Sequence, residues 1–297
     1  MDWGLTAFEG VKTPPDDRVL WRYLSFFSFV ELVHMKKLRF HRADKFKDPL
    51  EGTFTERELA ERQAKGGLSN LEKLSMLMRQ FAFVSCWREG EEESMAMWDL
   101  YNRGEGTVAI KSTVGRLKEV LRSRKEMSCV GSVNYIHRPT YAEAEVGQTI
   151  VFRKDLSYSF ENEVRAVILD PNEWGYHRGL SMAGEPAAAR LEEEIRQLYQ
   201  RIESVTPAEL ETPEVTRIMG ELFSSSAVEE FFSSSALNAG LHTGIEIGDL
   251  DLMRLITEVI VGPAEEPMQS RSKALVESVG KHLGCKITVS NLLVKPY

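Results

Sequence analysis

Short stretches with the pattern of β-strands recur along the chain at uneven intervals. They are RVLWRYLS (18–25), LRFHRA (38–43), FAFVSCW (81–87), TVAIKS (107–112), GSVNYI (131–136), the stretch 158–169, LITEVIVGP (255–263) and CKITVSNL (285–292). Bulky apolar side chains at every second position, or in a short unbroken run, mark strands buried on one or both faces. Helical periodicity falls between some of them: 27–37, one or two amphipathic helices over 54–80 broken at Gly66-Gly67, then 94–101, 113–125 and 267–283. The regular strand–helix alternation of a doubly wound fold is missing. The pattern therefore predicts an α+β fold, a mixed, largely antiparallel sheet flanked by helices. From Asp170 to about Gly240 the character changes. PAAARLEEEIRQLYQRI (186–202) is strongly helical, and the near-copies LFSSSA (222–227) and FFSSSA (231–236) read as paired caps or a flexible face. The predicted organisation is a core over 1–177, a helical insertion over 178–240 and the rest of the core over 241–297.

A net charge of −8 argues against a general nucleic-acid sink. Cys86, Cys129 and Cys285 are odd in number and far apart, which reads as reduced and cytoplasmic, with neither a disulfide framework nor a zinc site. The six histidines show no metal-ligand spacing. The first residues hold no basic segment followed by an apolar one, so no secretory signal is expected. No apolar run approaches the ~20 residues of a membrane helix.

Several side chains are candidates for chemistry. Over 158–169, Glu161, Glu163 and Arg165 alternate with Tyr158, Phe160, Val164 and Ile168. A strand through this stretch packs the apolar set in the core and sets the charged row about 7 Å apart on the other face. Such a row is either a solvated face or a pair of carboxylates able to share a proton, stabilise a cation or hold a metal. In KFKDPLEG, Asp48 and Glu51 belong either to an Asx-type turn or to a loop that carries carboxylates to a pocket. With Glu161 and Glu163 they would make a four-carboxylate metal set beside the basic cluster from Lys36 to Lys47. Arg22, between Trp21 and Tyr23, is either an ion-paired strand arginine or an anion clamp. Ser85 is either a hydrogen-bonded core serine or a pocket residue. Cys86 is a weak nucleophile, with no histidine near it in sequence. Trp98 and Tyr101, one helical turn apart, either pack in the core or line a ligand.

Taken in order, RYLS, LRFHRADKFKDPLEG, FVSCW, MWDLY with GTVAIKS, VNY, FRKDLSYSFENEVRAV and LITEVIVGP with ITVSNL resemble a bacterial domain-of-unknown-function family. Its signature is F-x-D-P-x-E-G, M-W-x-x-Y and E-x-E-x-R, and the likeness runs from roughly 20 to 295 apart from the insertion. That resemblance implies no activity. More distantly, an arginine on the first strand, a serine on a middle strand and E-x-E on a later one are similar to the Arg-Ser-Glu class of ADP-ribosyltransferases. This second resemblance implies an ADP-ribosyltransferase-like fold that uses NAD as substrate, with no metal. Arg22 would hold the phosphate or ribose of the nicotinamide dinucleotide, with Trp98 and Tyr101 as further candidates for binding it. Ser85 would support the nicotinamide pocket. Glu163 would hold a ribose hydroxyl and stabilise an oxocarbenium-like transition state, with Glu161 two residues before it. The chain departs from that class in carrying Ser85-Cys86-Trp87 where Ser-Thr-Ser is usual, and in placing E-x-E within or at the start of a strand. The expected function is ADP-ribose transfer or NAD hydrolysis, suited to a toxin or anti-phage effector, with an unspecified protein or nucleic-acid acceptor. The alternatives are a metal-dependent nuclease or phosphodiesterase and a non-catalytic binding or sensor module. The 178–240 insertion is a candidate homodimer arm.

Overall fold

The computed structural model describes residues 10–46, 82–102, 106–122, 126–137, 148–169, 244–265 and 268–292, with single positions at 5, 7, 8, 48, 51, 60, 61, 63, 64, 79, 124 and 213. The predicted insertion, its dimer role and nearly all of 54–80 lie outside the described residues. The rest is α+β, as the pattern predicts. Nine strands form one mostly antiparallel sheet, and a separate two-stranded ladder lies beside it.

Strand β1 (Val19–Ser25) leads directly into helix α1 (Phe26–Met35). Ser25 makes the switch: its backbone stays extended while its hydroxyl accepts the Ser28 amide, capping the helix. Lys36, in the left-handed region at φ 51°, ends α1 and turns the chain into β2 (Leu38–Arg42). Then come β3 (Ala82–Glu89), α2 (Met95–Tyr101), β4 (Thr107–Thr113), α3 (Val114–Arg122), β5 (Met127–Ser132), β6 (Asn134–Ile136), β7 (Arg153–Asp155) and β8 (Glu163–Leu169). The chain closes with β9 (Gly244–Ile247), α4 (Leu252–Leu255), β10 (Glu258–Val261), α5 (Met268–Gly280) and β11 (Lys286–Val289).

Alternation on β1 sorts its side chains into two layers. Leu20 and Leu24 face the main core with Ile110, Val164 and Phe29 of α1. Trp21 and Tyr23 face a smaller cluster with Ala109, Ile260, Met97 and Trp98 of α2. Among the described residues, no helix is long and apolar enough to cross a membrane.

Two details of the sheet govern the site. First, β3 pairs along its length with β8, from Ala82↔Leu169 to Arg88↔Glu163. On its other side it meets β1 only at Arg88 and Glu89, and β2 only at Phe83 and Val84. Ser85, Cys86 and Trp87 have no strand partner there, so β1 and β2 diverge over the middle of β3 and leave a gap. Second, β8 begins at Glu163, not at Tyr158. Residues Leu156–Glu161 form a 3₁₀ turn capped by Asp155, and Asn162 follows in the left-handed region at φ 40°. The expected apolar face is therefore corrected in part. Val164 and Ile168 are in the main core, but Phe160 is 49% exposed and Tyr158 is half-buried. Alternation cannot reveal that break, because a 3₁₀ turn can carry the same short run of residues. The predicted single strand 131–136 is likewise two strands, β5 and β6, broken at Val133.

Candidate functional site

Glu163 and Arg165 leave β8 on the same face, as their spacing predicts. Arg165 Nε donates to Glu163 Oε1 at 3.0 Å and Nη2 to Glu163 Oε2 at 2.9 Å. Nη2 also reaches Glu51, and Nη1 donates to the Val151 carbonyl. Gly131 of β5 lies across from Arg165, and a Cβ there would stand 2.2 Å from Val11 Cγ1. Only glycine admits the close cover over this arginine.

Glu161 joins the group by a different route from the predicted row. The left-handed step at Asn162 turns it back, and its Oε2 lies 2.5 Å from Lys154 Nζ on β7. The same ammonium is 3.3 Å from Glu163 and 3.8 Å from Glu51. Three carboxylates thus face one ammonium and one guanidinium, all between 1% and 9% exposed. Burial would raise Glu163, but Arg165 and Lys154 outweigh it and hold the carboxyl down at about 2. Burial also raises Glu161. Lys154 opposes that rise, while the Glu163 and Glu51 carboxylates add to it, and Glu161 ends above its ordinary value. Two neighbouring carboxylates are thus pushed apart, one fixed as the anion and one made easier to protonate. Burial alone would lower Lys154, but Glu163 and Glu51 raise it.

Of the predicted four-carboxylate set, Glu51, Glu161 and Glu163 come together. Asp48 sits in the preceding turn, where its backbone carbonyl accepts the Glu51 amide at 3.1 Å. Lys154 and Arg165 take the space between the three. Among the described residues, no three His, Cys, Asp or Glu side chains are arranged to hold a metal ion.

Arg22 and Ser85 meet directly. Arg22 Nη1 donates to Ser85 Oγ, and Nη2 donates to the Arg39 carbonyl at 3.0 Å, so the guanidinium bridges the gap between β1 and β2. It lies 5.6 Å from the Trp87 ring centre. Ser85 Oγ also accepts the Trp87 indole N–H at 3.0 Å and is fully buried, so it fixes Arg22 and offers nothing to a ligand. Among the described residues Arg22 has no carboxylate partner, and burial lowers its pKa, with Tyr101 and Cys86 pulling the other way.

Arg22 and Glu163 do not touch. By alternation Arg22 leaves β1 on the side of Leu20 and Leu24, whereas Glu163 leaves β8 on the side away from Val164, and both charges bear on Cys86 and Tyr101. Cys86 is paired with Arg165 across the ladder and hydrogen-bonds Glu163. Its thiol is pushed well up, first by burial and then by that carboxylate. Tyr101 is half-buried and raised by burial, by Cys86 and by Glu163, while Arg22 lowers it. Trp98 is corrected: at 2% exposure it packs edge-on against Tyr23 at 4.8 Å and gives its N–H to Glu93 at 3.0 Å. It has no surface for a dinucleotide.

Sequence reasoning missed Lys154 and Tyr135. Lys154 lies in FRKD, whose short strand pairs, among the described residues, only with β6. Tyr135, from β6, accepts the Glu163 amide on its hydroxyl at 2.8 Å and pins the start of β8. Nothing in their local sequence marks either residue, because both act through tertiary packing. A groove of about 830 Å³ lies elsewhere, between α1, the turn before α4, and α5. None of the catalytic or dinucleotide candidates lines it.

Comparisons of the chain with protein-family models, with curated proteins and with solved structures return no match.

Proposed function

We propose that the protein acts on the nicotinamide ribosyl bond of NAD, transferring ADP-ribose or hydrolysing the dinucleotide, on an ADP-ribosyltransferase-like fold. One observation carries this reading. A buried guanidinium with no carboxylate partner among the described residues, Arg22, and a carboxylate held ionised, Glu163, both bear electrostatically on Tyr101 and Cys86 at the gap in the sheet. Those two charges complement oxidised NAD, whose diphosphate is anionic and whose nicotinamide end is cationic. As the carbon–nitrogen bond breaks, nicotinamide leaves with the bonding pair and positive charge grows on the ribosyl carbon. A fixed carboxylate there stabilises the transition state more than the ground state. Water or an acceptor nucleophile then takes the ribosyl carbon, and Glu161, the more readily protonated carboxylate, accepts the proton it loses.

The sheet supports the reading in one further respect. Glu161 ends a turn and Glu163 opens β8, so E-x-E stands at a turn-to-strand junction, as in that enzyme class. The burial of the whole ion cluster favours a second reading, a non-catalytic binding module in which the five charges are structural. The metal-dependent alternative is less well supported, since Lys154 and Arg165 already neutralise three of its four carboxylates.

The test is nicotinamide release by the purified protein, with and without cell extract as acceptor source, beside calorimetry with NAD. Glu163→Gln is expected to cut turnover on the order of 10²-fold with smaller change in affinity. Arg22→Ala is expected mainly to weaken binding. Wild-type protein that neither binds NAD nor releases nicotinamide sinks the proposal and leaves the binding-module reading.

A further inference from the structure

Glu163 opens β8 with its backbone amide and carbonyl both turned toward the β5 side. β5 pairs with β8 as far as Ser132↔Val164. One residue on, the Val133 amide donates to the Glu163 carbonyl at 2.8 Å. In a closed antiparallel pair the second residue returns its own amide to the first one's carbonyl. Here the chain leaves the sheet at Val133, and the Glu163 amide donates to the Tyr135 hydroxyl at 2.8 Å. A side chain thus takes the place of a ladder bond at the residue that begins the strand. Burial first, and then the Glu163 carboxylate, raise the pKa of that hydroxyl and keep it neutral.

Tyr135 lies on β6, opposite Lys154 of β7. Their ladder is parallel and runs only from Asn134↔Arg153 to Ile136↔Asp155. A two-stranded ladder that short has little stability of its own. It does, however, set three side chains at fixed spacing around the two carboxylates. Tyr135 holds the backbone of Glu163. Lys154 reaches the Glu161 and Glu163 carboxylates at 2.5 and 3.3 Å. Asp155 accepts the Ser157 amide and caps the 3₁₀ turn that ends in Glu161. Of these three, only Tyr135 bonds Glu163 through the main chain, at the point where the strand begins.

We infer that Tyr135 is a positioning residue for Glu163: it fixes the amide at the start of β8 and so keeps the carboxylate against Arg165 and Lys154. The inference rests on the reading of Glu163 as the group that stabilises the ribosyl cation, and it adds the device that holds that group in place. A small displacement of a reacting group is enough to lower a rate steeply.

The experiment uses Tyr135→Phe, which removes one oxygen and keeps the ring. The Glu163 carboxyl is titrated by carbon-13 NMR in wild type and variant, its signal assigned with Glu163→Gln. In the wild type that carboxyl is held at about 2. In Tyr135→Phe the start of β8 is free to draw away from Arg165 and Lys154, so the carboxyl is expected to titrate higher, toward its ordinary 4.5. Nicotinamide release by the same proteins is expected to lose about tenfold or more in kcat, with KM within about twofold. An identical Glu163 titration in wild type and Tyr135→Phe overturns the role of Tyr135 and leaves the NAD proposal to its own test. An unchanged kcat in the variant of an active wild type overturns that role as well. A raised titration in a protein that releases no nicotinamide sustains Tyr135 as the residue that places Glu163 and removes the NAD chemistry. If Tyr135→Phe does not fold, amide exchange at Glu163 in the wild type decides. Protection like that of the following β8 amides sustains the role, and exchange at the rate of an exposed amide overturns it.

Discussion

Lys154 carries more of the site than its sequence suggests. Its ammonium touches all three carboxylates, so replacing it leaves Glu161 without a cation and Glu163 with Arg165 alone. Removing one partner of a buried charge network typically costs about 3–5 kcal/mol. Lys154→Met is expected to lose that much in urea unfolding at pH 8, and less at pH 5, where Glu161 can escape its burden by taking a proton. An equal loss at both values would place the cost in packing instead of charge. In the wild type, Glu163 is depressed from 4.5 to about 2. The stability it contributes is therefore present above pH 4.5 and drains away as pH falls toward 2. Glu161 is raised, so it opposes this trend with a contribution present below pH 4.5 and lost as pH rises. Acid unfolding followed by circular dichroism should begin below pH 4.5 in the wild type, and Glu163→Gln should flatten that limb. A limb of unchanged slope would remove Glu163 as its source.

At the scale of elements, the junction between the 3₁₀ turn and β8 decides where the carboxylates point. Asn162 makes it possible: it adopts φ 40°, its side-chain amide donates to the Glu89 carbonyl at 2.7 Å, and its own carbonyl accepts the Glu89 amide at 2.8 Å. A left-handed conformation costs a residue with a Cβ about 1–2 kcal/mol, least for Asn and Gly. Asn162→Gly keeps the turn and should lose only the hydrogen bond, about 1 kcal/mol. Asn162→Val loses both, roughly 2–3 kcal/mol, with a matching shift in urea midpoint. Equal losses would mean that the left-handed step is not what matters. The same junction explains what was legible. Strands β1, β3, β4 and β10 show in the sequence because bulky residues crowd them, and Glu163 with Arg165 on one face follows from period two alone. Period two also puts Glu161 with them, but for the wrong geometric reason: a short turn preserves the alternating composition while ending the strand. The meeting of Glu51 with Arg165, 114 positions apart, and the arrival of Lys154 depend on which strands lie side by side. No local pattern encodes that order. Trp98 illustrates the opposite error, since an aromatic pair on a short helix looks the same whether it lines a ligand or fills a core.

For the whole molecule, the pairing of strands divides the sheet unequally. β1 and β4 share seven residue pairs and β3 and β8 another seven, whereas β1 and β3 share two. Amide exchange should sort the amides of β1, β4, β10 and β11 from those of β3, β5 and β8 into two protection classes, since stability follows cooperative units. A single class with one exchange free energy throughout would contradict this. The gap over Ser85–Trp87 then acquires a mechanical meaning. A sheet joined along so short a line behaves as a clasp, with Trp21↔Arg88 as its pin. No long ladder crosses this seam, and Arg22, rooted on β1 and bonded to Ser85 on β3, ties the two leaves across it.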